Sequence, residues 1–180
     1  MNARLGVALL LALLGTCRAA AGDGPASFEM GTVVILTRPD VLMHRTSESP
    51  NALTNYISKV REAGQAFVAA NAAVEHVVGT YIVAVKPGRQ ARVWVEVTGV
   101  DPGNALSSSL AAALQHVEPI AVIDGPVVFA APFRTWAGGE IPASFELPAV
   151  WQKASEKALK PGEPLDEDDI LLMLWPNNDR

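Results

Sequence analysis

The stretch GTYIVAVKPGRQARVWVEVT, residues 79–98, decides the fold. Its two halves, 79–86 and 90–98, are rich in Val, Ile, Tyr and Trp, side chains that suit a pleated, half-buried surface. Pro87-Gly88 lies between them. Proline fixes φ at the second position of a turn and glycine accepts the positive φ of the third, which suits a type II turn. The stretch therefore predicts a β-hairpin. In its second half Val93, Val95 and Val97 alternate with Arg92, Trp94, Glu96 and Thr98. One face is apolar; the other is at least partly wet or partner-facing.

Outward from the hairpin the period changes. Upstream, residues 50–70 carry Leu53, Ile57, Val60, Gly64, Phe67 and Val68 at helical spacing, with Ser49 as a cap and Pro50 at the first helical position. Downstream, Asp101-Pro102 opens a second helix by the same logic, with Leu106, Leu110, Leu114 and Val117 as its stripe and Pro119 as its end. Asp124-Gly125 turns the chain into PVVFAAPF, residues 126–133, a strand that its two prolines confine to an edge or to pairing in the middle. An earlier strand is expected at TVVILT, 32–37, closed by the turn Arg38-Pro39-Asp40. The fold class that follows is α+β, a small antiparallel sheet of three to four strands packed on two helices. With the strand at 32–37 the order becomes βαββαβ, the ferredoxin-like split arrangement.

From residue 50 to 136 the order is helix, strand, turn, strand, helix, strand. This resembles the C-terminal domain of TonB- and TolA-type periplasmic proteins, through the hairpin GTYIVAVKPGRQARVWVEVTG, the helix NALSSSLAAALQHVEPI and the strand GPVVFAAPF. The likeness spans about half the chain. It departs from that family at the turn, where Pro87-Gly88 replaces the usual Asp-Gly, and in lacking the uncleaved anchor and long spacer of the energy transducers. What the resemblance implies is a small sheet backed by two helices that binds protein partners in the periplasm, without an energy-coupling role.

The chain starts with Arg4, an apolar run from Leu5 to Leu14, and then Ala19, Ala20 and Ala21. These are the parts of a secretory signal, and cutting after Ala21 satisfies the A-x-A pattern. The run is about half of the roughly 20 residues that a membrane-spanning helix needs. Thr16 before Cys17 departs from the Gly, Ala or Ser that a lipoprotein signal places there, so no lipid is expected. A mature chain beginning at Gly22 has lost its single cysteine, Arg4 and Arg18, which takes the net charge from −5 to −7. An acidic surface disfavours nucleic acid and anionic membranes, since both require clustered Lys and Arg.

Three regions follow: a cleaved signal at 1–21, an α+β domain at 22–136, and a Pro- and Gly-rich appendage at 137–180. The appendage carries a short helix near 148–159 and an ending in which Asp166 caps an acidic first turn before Ile170 to Trp175, six residues without a polar side chain. Such a run must be covered by its own domain or by a partner.

No catalytic constellation is legible, and neither a cofactor nor a metal is expected. His44, His76 and His116 stand at no ligand spacing. Ser107, Ser108 and Ser109 read as helix-start residues, Ala137-Gly138-Gly139 lacks the lysine of a phosphate loop, and Asp166 to Asp169 lacks the spacing of a calcium loop. The candidate partner-binding residues are Trp94 and Tyr81 on the hairpin and Ile170, Leu171, Leu174 and Trp175 at the end. The expected role is an exported, non-enzymatic protein-interaction domain of a bacterial cell envelope. The alternative is an enzyme or small-ligand binder whose site forms only in three dimensions.

Overall fold

The structure, a computed structural model, describes residues 27–46, 51–71, 77–98, 100, 105–136, 139–143, 145–159 and 166–176. The leader, Ser49-Pro50, His76 and Asp101-Pro102 lie outside these. The elements run β1 (Phe28–Met30), β2 (Val34–Ile35), α1 (Pro39–Arg45), α2 (Ala52–Ala70), β3 (Val77–Lys86), β4 (Gln90–Thr98), α3 (Leu106–Gln115), β5 (Val127–Thr135), α4 (Ala149–Ala158) and α5 (Glu167–Leu174). The fold is α+β, with an open antiparallel sheet in the order β1-β5-β3-β4 and β2 also paired to β5. β1 and β2 act as one interrupted edge strand, so the chain runs β-α-α-β-β-α-β and then adds α4 and α5; the central strands are the second and fourth, not the first and third of a ferredoxin-like sheet.

The hairpin pairs from Lys86↔Gln90 to Val78↔Thr98. Gly88 takes its positive φ of 83°, and Arg89 adds a second left-handed residue at 56°, making the loop one residue longer than the expected turn. Period-two alternation then sorts the side chains. Tyr81, Val83, Val85, Val93, Val127, Phe129, Ala131 and Phe133 face α2 and α3, while Ile82, Ala84, Val128 and Ala130 face α4 and α5.

The sheet is therefore covered on both faces. The described part of 137–180, expected as an appendage without a core of its own, instead supplies the second layer, in which Trp151, Ala154, Ala158, Ile170 and Leu171 are buried against the sheet. On the first face α2 buries Tyr56, Val60, Gly64 and Val68. Its buried stripe is turned from the expected one, leaving Leu53, Ile57 and Phe67 half-buried at the flanks. Gly64 has no side chain, and the Phe28 ring from the edge strand fills that space. α3 buries Leu106, Leu110 and Leu114 as expected, each contributing about 1.5–3 kcal/mol.

Two expectations are corrected. Arg38-Pro39-Asp40 starts a helix rather than a turn: Pro39 occupies the first turn, where no N–H is needed, with Asp40 at the N-terminal end and His44 and Arg45 at the other. β5 is a central strand, not an edge, although it contains Pro132. The register explains this. Even-numbered residues of β5 turn their main-chain groups toward β1 and β2, as Val128 does in bonding Leu36 and Thr37. The missing N–H of Pro132 thus points away from β3, at Gly31, which donates to the Pro132 carbonyl and receives nothing back. The edge strand breaks into β1 and β2 opposite this proline.

Gly79 shows how closely the central strands approach. A Cβ there would meet the Glu96 carbonyl oxygen and the Phe133 ring. Gly79→Ala is expected to cost at least about 1–3 kcal/mol, read as a lowered midpoint in urea. An unchanged midpoint would mean that β3 and β4 separate without penalty.

Candidate partner-binding groove

The residues singled out in the sequence fall into two groups. Trp94 is half-buried in the second layer, its ring edge-on to Trp151 at 5.2 Å between centroids. Tyr81 stands on the adjacent strand, one residue from the partner of Trp94, but lies fully buried on the opposite face, its hydroxyl donating to Met30 Sδ. Burial pushes the Tyr81 phenol well above its ordinary range. The two do not form one surface.

The end of the chain docks on its own sheet. Ile170 and Leu171 are buried, and Leu174 and Trp175 are half-buried beside them. Asp166 caps α5 by accepting from Asp168 N at 2.9 Å. At the other end two cations from the sheet satisfy the last carbonyls. Arg92 Nη1 donates to Leu174 O at 3.0 Å, and Lys86 Nζ donates to Trp175 O while lying 4.5 Å from the Trp175 ring centroid. Leu172 and Met173 remain exposed on the outer side.

The N-terminus of α5 is held as firmly. Arg45 makes a two-pronged pair with Asp168, at 3.0 and 2.5 Å, and donates to Pro126 O at 2.9 Å. Glu167 Oε1 stands 3.6 Å from the same guanidinium and accepts weakly from Arg38 N at 3.4 Å. Glu167 is buried, and burial raises its pKa above 4.5, helped by the charges of Asp166 and Asp168. The carboxylates of residues 166–168 converge within 4.8 Å, and Arg45 brings the positive charge to them. His44 is exposed on α1, and exposed His116 turns Nδ1 to Ala112 O at 2.6 Å.

What the sequence reading missed is the free side of β4. Among the described residues β4 pairs only with β3. A groove of about 470 Å³ runs along its outer side. α3 walls it on one side with Ser107, Ser108 and Ala111, and the start of α4 on the other with Pro148 and Val150. Val93, Val95, Val97 and Val100 make its floor apolar, with Trp94 and Glu96 at the α4 side. Glu96 fixes that wall by accepting from Ala149 N at 2.6 Å. Ser108 Oγ donates to Ala105 O, an ordinary bond within a first helical turn.

The main chain inside the groove is partly unspent. Val93 N donates to Gln115 Oε1 at 3.3 Å, so the groups of Val93 point outward, away from β3. Period two places those of Val95 and Val97 outward as well. Among the described residues their N–H and C=O groups have no hydrogen-bond partner. The arrangement offers an extended polypeptide a ladder to join, with apolar contacts beneath it. An alternating strand next to two unbroken apolar ones was the available signal: β3 and β5 read as buried on both faces, which leaves β4 for the rim.

Compared with protein-family models, with curated proteins and with solved structures, the chain matches none.

Proposed function

We propose that the protein is an exported, non-enzymatic interaction domain of the bacterial cell envelope that takes up an extended segment of a protein partner along β4. The observation that carries this reading is the pair of main-chain sites at Val95 and Val97, unspent among the described residues and held in an apolar groove between two helices. Joining a strand to a sheet edge draws affinity from main-chain hydrogen bonds and selectivity from alternate side chains. The leader at 1–21 supports export. The resemblance to TonB and TolA C-terminal domains points to the same class of work.

The test is a photo-reactive residue placed at Val97, against one at Glu62 on the outer side of α2. The protein recovered from the envelope fraction should begin at Gly22. Adducts should form from position 97, not from 62, and vanish when Val95→Pro removes an outward N–H. Equal adducts from both positions, or an uncleaved leader, would end this reading.

A further inference from the structure

The occupant that the groove fits can be read from its own rim. A strand running antiparallel along β4 meets Glu96 first, then Trp94, then Arg92. Opposite charges directly across a ladder stabilise it, and aromatic pairs do so too. The matching segment is therefore basic-x-aromatic-x-acidic. That pattern stands in β4 itself, as Arg92-Val93-Trp94-Val95-Glu96. We infer that the groove's partner is β4 of a second copy of this chain, the two sheets joining across a two-fold axis at Trp94. This rests on the reading of β4 as a docking edge and names what docks there.

The geometry permits this register. Pairing centred on Trp94 sets Val93 opposite Val95 of the second copy and Ala91 opposite its Val97. All four are residues whose main-chain groups point outward, as hydrogen-bonded pairs require. It sets Arg92 opposite Glu96, twice by symmetry. Centring one residue either way loses that pairing. Neither charge has an ion-pair partner among the described residues: Arg92 is bonded to Leu174 O and lies over the Trp94 ring, and Glu96 is bonded to Ala149 N. Gln115, an exposed side chain, occupies Val93 N–H in the single copy and swings aside when a strand arrives. The α3 wall is Ser107, Ser108 and Ala111, small enough for the neighbouring copy's α3 to lie close. An interface that uses one patch on both subunits closes as a dimer.

Sedimentation velocity of the purified protein over a dilution series tests this. A dimer that dissociates on dilution is expected. Val95→Pro loses no bond to β3, because its N–H points outward, and should sediment as a monomer with an unchanged circular dichroism spectrum. Arg92→Gln and Glu96→Gln keep a group able to bond Leu174 O and Ala149 N but remove one charge of each cross-strand pair, and each should shift the equilibrium toward monomer. A wild-type protein that stays monomeric, or a dimer indifferent to Val95→Pro and to both glutamine variants, overturns the inference. A labelled peptide of residues 90–98 separates the two levels of the argument. If the protein is monomeric yet binds this peptide, and Val95→Pro abolishes that binding, the second copy is refuted and β4 as a docking edge stands. If it neither dimerises nor binds the peptide, both fall.

Discussion

Trp151→Ala is expected to remove about 3–5 kcal/mol of stability, the usual cost of truncating a fully buried tryptophan. Trp151 is 1% exposed, beneath α4, where it meets the edge of Trp94 and the sheet residues Ile82, Ala84, Val128 and Ala130. Domains of this size have roughly 5–15 kcal/mol in total, so the loss should appear as a large fall in the urea midpoint. Trp151→Phe is the control. The indole Nε1 is buried without a hydrogen-bond partner among the described residues, so phenylalanine keeps most of the ring and gives up no bond. Its cost should be much smaller. If alanine costs under about 1 kcal/mol, α4 is not part of the folding unit.

Arg45→Ala is expected to cost about 3 kcal/mol, because it strands carboxylates that the protein has withdrawn from water. Arg45 is 11% exposed and Glu167 9% at the side chain, while Asp168 at 33% keeps some solvent, which holds the figure at the lower end. Glu167 adds a pH dependence of definite sign. Its folded pKa lies above the ordinary 4.5, so the folded state holds the proton more tightly than the unfolded chain. The stability it contributes is complete below 4.5 and is lost as pH rises through the raised value. Glu167→Gln should remove that slope and stabilise the protein above the window. Urea midpoints across pH for wild type and variant measure it; parallel curves would refute the assignment.

The hairpin, the two helices behind it and the fold class were legible in the sequence because each rests on local periodicity. Leu106, Leu110 and Leu114 recur at helical spacing and are buried. The second layer was not legible as a layer. The stretch before α4 is broken by glycine and proline, which reads as loop, and nothing local says that Trp151 and Ile170 meet across α4 and α5. Pro132 misled for the opposite reason. A proline forbids one ladder bond, and only the register shows which side of the strand loses it. Of the proposed binding residues, Trp94 alone reaches the groove. Tyr81 is separated from it by the parity of one residue in a strand, and Ile170 and Leu171 are consumed by docking. The groove itself depends on strand order, which pattern within a strand does not encode.

The proline in β5 has a consequence for assembly. Sheets polymerise when both rims accept a newcomer, since each addition then presents a fresh rim for the next. Here one rim is continuous over nine residues of β4, while the other consists of a three-residue and a two-residue strand parted opposite Pro132. That interrupted rim offers no ladder long enough to hold a strand. Growth through β4 therefore uses up the single adhesive rim of each molecule and stops at two, so the fold carries its own chain terminator against fibre formation.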